Sequence, residues 1–532
     1  MVLKRIATPA DPADLVTGVT RPDTSAALNV DESIGVGEKE PCEGKWGFPR
    51  PKGQSLSYWL QQVRCDELLD HRTTEQLPET ADTVIIGSGI TGSLVAKFHQ
   101  ETWPEKRVVV LEARDFCSGA TGRNAGHCKP DQWRGFGKYE EQFGTEQAMK
   151  ILQNEQDTWE ALVAYVRQHD VDCDLWVGDT LDVPLDIETA ELARDVFERY
   201  RAAGGKVDHI KVTTEPEEAV NITRLKDAQA CYAWPASTLQ PRKLAAHVMR
   251  ASLANAGGGV NLQTFTPVRS VTPYDLSSSP PSSDEKRGKH RWTVQTDRGP
   301  IACANVVHAS NAYLPAYAPS MRGLIRPKPH MCNKVLPPLA LAGSRSLRNS
   351  YGVLLRDGSL FSINPRHGAD GVVLFGGSNP GQRRLDEWVA AQPAADRRCV
   401  DDGLSSAGAA EDRGTAAARL VTDAVRGFAE AQFQGWSESA DRDGMGPGAG
   451  FDYSWSGIIG VAADGVPFVG EMPGLEGQWV CAGHCGHGMA RIFTAAPGLV
   501  RLMAGEPWET IGLPDVYRIT QERLHRLRDQ DK

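Results

Sequence analysis

Residues 83–92 restrict the fold of this chain more than any other stretch. The sequence there is Thr-Val-Ile-Ile-Gly-Ser-Gly-Ile-Thr-Gly, an apolar run that leads directly into Gly87, Gly89 and Gly92. A helix-like segment follows, and then a second apolar run that ends at Glu112. A strand, a glycine turn, a helix, a strand and an acid in this order form the βαβ pattern of dinucleotide-binding domains. The pattern therefore predicts a Rossmann-like domain that begins near residue 82.

Each residue of this pattern has a physical role in the predicted site. Gly87 permits a tight turn, Gly89 lets the backbone approach a pyrophosphate, and Gly92 lets the helix pack closely on the strand. The N-terminus of the helix offers unpaired N–H groups and the positive end of its dipole to the phosphates. Glu112 lies twenty residues after Gly92, where its carboxylate can accept hydrogen bonds from ribose hydroxyls. The sequence therefore predicts that an adenine dinucleotide binds here.

The composition argues against several classes of partner. The chain has 532 residues, of which 40% are hydrophobic and 24% charged, as is typical of a globular protein with two or three domains. Its net charge of −10 argues against a nucleic acid or an anionic membrane surface as a partner, because no broad basic face is expected. No run of about 18 apolar residues is present, so no membrane span is predicted.

The termini and the cysteines predict a cytoplasmic protein. The first 51 residues contain no apolar core of the signal-peptide kind. The last residues, Arg528 to Lys532, do not form a peroxisomal Ser-Lys-Leu signal. The eleven cysteines are scattered without a regular framework, which fits reduced thiols in an intracellular compartment.

The periodicity of apolar residues changes along the chain in a way that indicates two interleaved domains. Residues 54–76 are predicted to form a helix with its apolar residues on one stripe. Residues 144–235 combine helices with short strands and depart from the alternation of a nucleotide-binding domain. The pattern of that domain returns between residues 241 and 310, and again from Val480 to Gly505.

Two further stretches rich in small residues carry a resemblance to a known family. Residues 117–127 read Cys-Ser-Gly-Ala-Thr-Gly-Arg-Asn-Ala-Gly-His, and residues 483–489 read Gly-His-Cys-Gly-His-Gly-Met. Together with the glycine turn and the acid, they resemble the FAD-dependent amino-acid and amine oxidase superfamily, the group that includes D-amino-acid oxidase. The motifs are most similar to those of γ-glutamylputrescine oxidase and its fungal-type relatives, and the resemblance covers about residues 80–510.

The resemblance implies FAD as the cofactor and assigns contacts to it position by position. The contacts implied for the first glycine turn and the adenosine are Gly87, Ser88, Gly89, Ile90, Gly92, Glu112, Ala113 and Val268. Those implied on the pyrophosphate and flavin side are Ala120, Thr121, Arg123, Asn124, Ser310, Asn311, Gly457, Asp464, Gly486, Gly488 and Met489. Both ends of the chain would therefore contribute to one cofactor site.

The resemblance also implies how the flavin is attached. Some members of the superfamily bind flavin covalently through a histidine in the small-residue loop or a cysteine before the late aspartate. Arg123 and Gly457 occupy those two positions in this chain. FAD is therefore expected to be non-covalent and dissociable.

The chemistry implied by the resemblance is removal of a hydride from a C–H bond next to nitrogen, with FAD as the electron sink. A cation near the reactive flavin nitrogen favours electron transfer to O2. Lys129 is the candidate for this cation, with His127 as an alternative, and His487 in the terminal glycine loop is a third catalytic candidate. The sequence leaves open that Lys129 is an ordinary solvated lysine and that the two histidines are spacers bonded to the backbone.

Two residues are predicted to contact the substrate. Sarcosine-type members of the superfamily bind a substrate carboxylate with a lysine two residues after the last glycine of the terminal loop. This chain has Ala490 there, with Arg491 beside it, so carboxylate recognition by that route is in doubt. Simple or secondary amines, including γ-glutamyl amines, are then candidates, and Arg491 and Trp455 are the predicted contacts.

A metal site is an alternative interpretation of the terminal loop. Cys481, His484, Cys485 and His487 have residue types that bind zinc. Cys481 lies on a predicted buried strand, however, and no second pair of ligands is evident in the sequence. We therefore predict no metal.

The predicted fold is an α/β protein in which a Rossmann-like FAD-binding domain is interleaved with an α+β substrate domain built on a mixed or antiparallel sheet. The predicted segments are a flexible N-terminal arm (1–53), the FAD-binding domain (54–143, 236–325 and 453–532, the last with a C-terminal helix) and the substrate domain (144–235 and 326–452, with a variable insertion at 380–450).

The predicted function is oxidation of the C–N bond of an amine or amino acid to an imine, with O2 as the expected electron acceptor. One alternative is a flavin dehydrogenase that acts on an amine or hydroxy acid and passes electrons to a quinone or a protein. The other is a non-catalytic scaffold that FAD stabilises, with the N-terminal arm and the insertion as binding segments.

Overall fold

A computed structural model describes residues 48–49, 53–254, 259–275, 290–391, 413–436 and 450–530. Nearly all of the predicted N-terminal arm (1–53) and two parts of the predicted insertion (392–412 and 437–449) lie outside the described residues. Within the described ranges, none of the helices combines the length and the apolar character that crossing a bilayer requires.

The strands belong to two sheets. They are β1 (Thr80–Ile86), β2 (Val108–Leu111), β3 (His127–Cys128), β4 (Trp176–Pro184), β5 (Lys211–Thr213), β6 (Cys231–Thr238), β7 (Val260–Gln263), β8 (Val268–Pro273), β9 (Trp292–Thr296), β10 (Gly299–His308), β11 (Ile325–Leu336), β12 (Ser350–Leu354), β13 (Leu360–Asn364), β14 (Val373–Gly376), β15 (Gly450–Ala462), β16 (Phe468–Glu471) and β17 (Gln478–Ala482).

The α-helices connect and cover these sheets. They are α1 (Tyr58–Gln61), α2 (Ile90–Thr102), α3 (Phe136–Phe143), α4 (Thr145–Gln168), α5 (Ile187–Ala202), α6 (Pro216–Thr223), α7 (Pro241–Leu253), α8 (Leu314–Tyr317), α9 (Pro380–Ala391), α10 (Arg413–Gln432), α11 (Ile492–Met503) and α12 (Gln521–Gln530).

The first sheet has eight strands and a parallel centre. Its main order is β16-β17-β10-β1-β2-β7, and β8 and β9 extend it beside β10. The strands β17, β10, β1, β2 and β7 run parallel to one another. Val84, Ile85 and Val110 are fully buried, as expected for parallel strands covered on both faces. Helices α2, α7 and α11 pack on one of those faces.

The second sheet has nine strands and is mostly antiparallel. Its main order is β15-β11-β14-β13-β12-β4-β6-β3, with β5 beside β6, and the pair β12–β4 is parallel. Helices α9 and α10 pack on one face, where Phe361 stacks on Phe428 with 4.1 Å between ring centres. The prediction of a Rossmann-like domain interleaved with a mixed or antiparallel sheet is confirmed.

Several local features differ from the sequence prediction. Residues 54–76 do not form one long helix, because only α1 is helical and the rest is tied by turns to other segments, as where the Thr73 N–H donates to the Leu262 carbonyl. The described parts of the predicted insertion (380–450) include the regular helices α9 and α10. Strands β3 and β15 pair within the second sheet, although residues 127–128 and 453–462 fall in segments predicted for the FAD-binding domain.

Candidate active site

The glycine turn after β1 is packed so closely that side chains are excluded. Gly87 has a φ of +111°, and a Cβ atom there would lie 2.8 Å from the Ala309 carbonyl oxygen. A Cβ atom at Gly92 would lie 1.9 Å from the carbonyl oxygen of Gly87. Gly87 therefore allows the left-handed turn, and Gly92 allows α2 to pack directly on the backbone of that turn.

The acid after β2 lies beside this turn. One carboxylate oxygen of Glu112 accepts hydrogen bonds from the Ser88 N–H (3.0 Å) and hydroxyl (2.7 Å), and the other accepts from the Arg114 N–H (3.1 Å). The Glu112 carbonyl accepts from the Thr266 N–H (2.8 Å), which brings the start of β8 and Val268 to the same edge. Glu112 and Ala113 are therefore positioned next to the glycine turn.

The small-residue loop lies against the N-terminus of α2. The hydroxyl oxygen of Thr121 accepts a hydrogen bond from the Ile90 N–H at 3.1 Å. Gly89 is the N-cap of α2 and has no side chain with which to occupy the other N–H groups of the first turn. The Asn124 amide donates back to the carbonyls of Ala120 (3.3 Å) and Thr121 (3.2 Å) and holds the loop compact. A helix N-terminus, a close-packed glycine turn and an adjacent acid together fit the phosphates and ribose of a dinucleotide.

The terminal loop joins this arrangement through the end of β10. The Ala309 N–H donates to the Ile86 carbonyl at 3.0 Å, which places Ser310 against Gly87. The side-chain oxygen of Asn311 accepts from the N–H groups of Gly483 (2.9 Å) and His484 (3.3 Å). The early glycine turn and the late glycine loop are therefore linked by one short segment.

Replacing Asn311 should loosen this link. Asn311→Ala would leave two N–H groups without their acceptor and put alanine at a φ of +49°, at a combined cost of about 2 kcal/mol. Asn311→Asp keeps the acceptor and a residue type that tolerates this backbone, so it should retain most of the stability. Thermal unfolding and FAD retention would be compared, and equal values for the two variants would contradict the assignment.

Residues 123–129, which we call the crossing segment, run across the face of the second sheet. Alternate residues of the segment each meet one position of the sheet: Arg123 meets Gly457, Ala125 meets Gly376, His127 meets Ser362, and Lys129 meets Gly352. A Cβ atom at Gly457 would lie 2.9 Å from the Cβ of Arg123, so a larger residue there would push the segment away.

His127 is fixed by the sheet. Its Nδ1 lies 3.1 Å from the Ser362 hydroxyl and its Nε2 lies 3.3 Å from the Ile363 carbonyl oxygen. Burial, helped by the positive charge of Lys129, lowers the pKa of His127 to about 3. The imidazole is therefore neutral at pH 7, and both of its nitrogens have protein partners.

Lys129 is a buried, paired cation, so the interpretation as a solvated lysine is wrong. Its Nζ lies 2.5 Å from an Asp182 carboxylate oxygen and 4.9 Å from the centre of the Trp234 ring. Burial lowers the pKa of Lys129 and the charge of Asp182 opposes that shift. Asp182 was not among the predicted site residues, although an aspartate between Leu181 and Val183 in an apolar strand is a visible signal in the sequence.

Arg491 belongs to a buried ion pair, contrary to its predicted role. The Arg491 Nε lies 3.0 Å from the Glu155 carboxylate, its Nη2 lies 2.7 Å from the Tyr139 hydroxyl, and the side chain is fully buried. These partners leave the guanidinium no open side for a substrate carboxylate. His487 lies 3.7 Å from the same carboxylate and keeps a third of its side chain exposed. Burial would raise the pKa of Glu155, but Arg491 and His487 hold it well below its usual range.

Two other predicted site residues are also occupied. Trp455 is fully buried and donates its indole N–H to the Arg123 carbonyl at 2.7 Å, so it anchors the crossing segment and has no surface for a substrate. Asp464 forms a bidentate ion pair with Arg523 of α12. The Arg523 Nε and Nη2 lie 2.9 and 2.8 Å from the two carboxylate oxygens, so both oxygens have a partner. The sequence pattern could not reveal either partner.

The terminal glycine loop meets the crossing segment on its other side. The Met489 carbonyl accepts a hydrogen bond from the Cys128 thiol at 3.2 Å. A Cβ atom at Gly486 would lie 3.6 Å from the Ile459 side chain of β15, and Gly488 begins the turn that contains Met489. The loop, the crossing segment and β15 therefore converge on one region.

Residues 55–59, which had no predicted site role, also hold the crossing segment and the residue before it. Trp59 donates its indole N–H to the Asn124 carbonyl at 2.6 Å, and the Ser57 hydroxyl donates to the Gly122 carbonyl at 2.5 Å. The fully buried Trp59 ring also lies 4.8 Å from the guanidinium carbon of Arg366. The pair of aromatic residues at Tyr58 and Trp59 ahead of β1 was the available signal.

The thiols near the terminal loop are not arranged as a metal centre. Over the part of the chain that the structure describes, no group of three or more histidine, cysteine, aspartate or glutamate residues could hold a metal ion. Cys481 and His484 face each other at 3.8 Å. Burial raises the pKa of Cys481 to about 12 and lowers that of His484 to about 3, so both are neutral at pH 7.

The fold and the glycine turn together define a dinucleotide-binding protein whose Rossmann-like domain is interleaved with a second, mostly antiparallel sheet. The model of the family described as FAD dependent oxidoreductase matches residues 82–504 of the 532 in the chain. The chain belongs to this family. FAD is its cofactor, as the resemblance implied.

One characterised relative is the γ-glutamylputrescine oxidoreductase of Escherichia coli (strain K12), which is 25% identical over 237 residues. The match covers 44% of this chain and 50% of that protein, so the chain spans half the length of this relative.

Solved structures share the fold. Glycine oxidase from Geobacillus kaustophilus has a TM-score of 0.56 and 21% identity, with 83% of this chain and 99% of that chain covered. L-Amino acid deaminase from Proteus myxofaciens has a TM-score of 0.56 and 15% identity, with 88% and 97% covered.

Proposed function

We propose that this protein oxidises the C–N bond of an amine, with FAD bound non-covalently and O2 as the electron acceptor. The observation that carries the preference for amines over α-amino acids is that the three cations that the sequence placed near the flavin already have protein partners. Arg123 donates to the carbonyls of Ser55, Ser118 and Ser456, while Lys129 pairs with Asp182 and Arg491 with Glu155. A substrate carboxylate would have to displace these partners, and breaking either of the two ion pairs costs several kcal/mol.

The residues around the site would bind and enclose the cofactor. The N-terminus of α2 and the loop at Thr121 would hold the pyrophosphate, and Glu112 would hold the ribose. The crossing segment and the terminal loop would exclude water from the redox end, because both are packed against β15. Bound FAD supplies the electron sink for a hydride removed from the carbon next to nitrogen. The amine would lose two electrons and two protons overall, and water would hydrolyse the resulting imine.

The chemistry of nearby side chains supports a dissociable cofactor. Arginine and glycine at positions 123 and 457 offer no nucleophile to the flavin. Burial raises the pKa of Cys128 and of Cys481 to about 12, so both thiols stay protonated and are poor nucleophiles. The name of the Escherichia coli relative suggests γ-glutamylputrescine as the first amine to test.

Spectroscopy of the purified protein tests this proposal. The protein should be yellow, and acid precipitation should release FAD into the supernatant. Its flavin absorption should bleach without oxygen when γ-glutamylputrescine or putrescine is added, and more slowly with the amino acids sarcosine, glycine or L-proline. One H2O2 should form per amine oxidised in air. Flavin that stays with the precipitate would contradict non-covalent binding, and bleaching by amino acids alone would contradict the preference for amines.

A dehydrogenase is a second candidate, which one specific observation favours. Asp182 neutralises the charge of Lys129, so the cation expected to assist electron transfer to O2 is already balanced. Under this alternative the same amines would bleach the flavin, but turnover would require a quinone or a protein acceptor and H2O2 would stay well below one per amine.

A further inference from the structure

A histidine that the sequence analysis did not consider, His330, faces the crossing segment from β11. His330 pairs in register with Gly457 of β15, and opposite residues of antiparallel strands project to the same side. A Cβ atom at Gly457 would touch Arg123 of the crossing segment. A Cβ atom at Gly376, on the other neighbouring strand, would lie 3.9 Å from the His330 Nε2 and 3.5 Å from the Ala125 Cβ. The imidazole therefore lies on the face that the crossing segment covers.

Both loops proposed to hold the flavin reach the sheet beside His330. On one side, the crossing segment meets Gly457, which is the partner of His330 in register. On the other side, the terminal loop approaches Ile459 at Gly486, and Ile459 pairs with Lys328, two residues before His330. His330 therefore lies opposite the first contact and two residues from the strand partner of the second, where the redox end of the cofactor would face the second sheet.

The surroundings of His330 leave its ring available to a ligand. Gly457, opposite His330, and Gly376, diagonally across on β14, have no side chains, and His330 is half-buried. The Cys332 sulfur is the other side-chain atom of β11 near Gly376, at 3.5 Å from the position of a Cβ atom there. None of the described residues hydrogen-bonds the His330 ring, whereas both nitrogens of His127 are bonded. Burial and the positive charge of Lys328 lower the pKa of His330 to about 4, against the opposing charge of Asp386. A neutral imidazole has one nitrogen that can accept a hydrogen bond.

We propose that His330 binds the substrate, with one ring nitrogen accepting a hydrogen bond from the amine N–H so that the carbon next to nitrogen faces the cofactor. This inference rests on the proposed oxidation of amines. It assigns to the second sheet a direct contact with the substrate, in place of the occupied Arg491 and Trp455.

Anaerobic stopped-flow bleaching of the FAD-loaded protein tests this assignment. The probe is the amine from the panel above that bleaches the wild-type flavin fastest, and the dependence of rate on its concentration gives a Kd and a limiting rate. His330→Leu should raise the Kd about tenfold, because one hydrogen bond to the amine is lost. His330→Gln, which keeps an acceptor, should raise it about threefold or less. Gly376→Ala should also raise the Kd, since the new methyl group narrows the space beside the ring.

Controls separate this inference from a loss of structure and from failure of the proposed function. His525→Leu, at an exposed histidine of α12, should bind the amine as the wild-type protein does. FAD content and melting temperature report whether each variant is folded, and Gly376→Ala keeps the test valid if His330→Leu does not fold. An unchanged Kd in folded His330→Leu, or in folded Gly376→Ala where His330→Leu does not fold, overturns the role of His330 alone. A wild-type protein that no amine bleaches overturns the proposed function and, with it, this inference.

Discussion

Gly92→Ala is expected to give a protein that holds little or no FAD. The new Cβ atom would lie 1.9 Å from the Gly87 carbonyl oxygen, which is backbone and cannot move aside as a flexible side chain could. Helix α2 would have to shift away from β1, and overpacking of this kind costs about 1–3 kcal/mol or more. The shift would also move the helix N-terminus that is proposed to hold the pyrophosphate. The ratio of flavin to protein absorbance and the melting temperature measure both effects.

Gly427→Ala is the matched control, because Gly427 lies in α10 and a Cβ atom there meets nothing within 4 Å. Alanine has the higher helix propensity, so this variant should bind FAD fully and be as stable as the wild-type protein or slightly more stable. A Gly92→Ala protein with wild-type FAD content would contradict the proposed packing of the glycine turn.

Glu155→Leu is expected to destabilise the protein by about 3–5 kcal/mol, because it leaves the fully buried Arg491 without its carboxylate. The pair joins α4 to the segment that precedes α11, so the terminal loop should loosen and FAD should dissociate more easily. The wild-type pair should be pH-sensitive. The pKa of Glu155 is held below its ordinary value of 4.5, so the stabilisation is complete above about pH 4.5 and is lost at lower pH. Urea unfolding as a function of pH measures this loss.

The double variant Glu155→Leu with Arg491→Met removes both charges and should be more stable than Glu155→Leu alone. Glu188→Ala breaks the exposed pair with Arg356 and should cost less than about 1 kcal/mol. The assigned role of the pair would be wrong if Glu155→Leu were as stable as Glu188→Ala. It would also be wrong if the changes in the free energy of unfolding caused by Glu155→Leu and Arg491→Met simply added in the double variant.

The parts of the fold that the sequence predicted are those that local spacing determines. The order of β1, α2 and β2, the close-packed glycines and the acid beside the turn all lie within 33 residues, from Thr80 to Glu112, so their geometry follows from strand and helix dimensions. The family and its cofactor, and the interleaving of two sheets, are confirmed as well. The glycine turn after β1 and the terminal glycine loop after β17 are also close together, as predicted. Both lie at the carboxyl ends of strands that pair with β10.

The partners of the charged site residues could not be predicted in this way. Lys129 meets Asp182, Asp464 meets Arg523, and Arg491 meets Glu155, 336 positions away. Such contacts depend on strand register and helix packing, and a shift of one residue moves a strand side chain to the opposite face. His330 was missed for the same reason, because only the register with Gly457 reveals what it faces.

The interleaving of the sheets also determines when the protein can fold during its synthesis. β10 lies between β1 and β17, so the centre of the first sheet is incomplete until residue 482 has been made. The second sheet needs β15, which ends at residue 462. A chain whose synthesis ends before these positions would therefore expose unpaired strand edges, which favour aggregation.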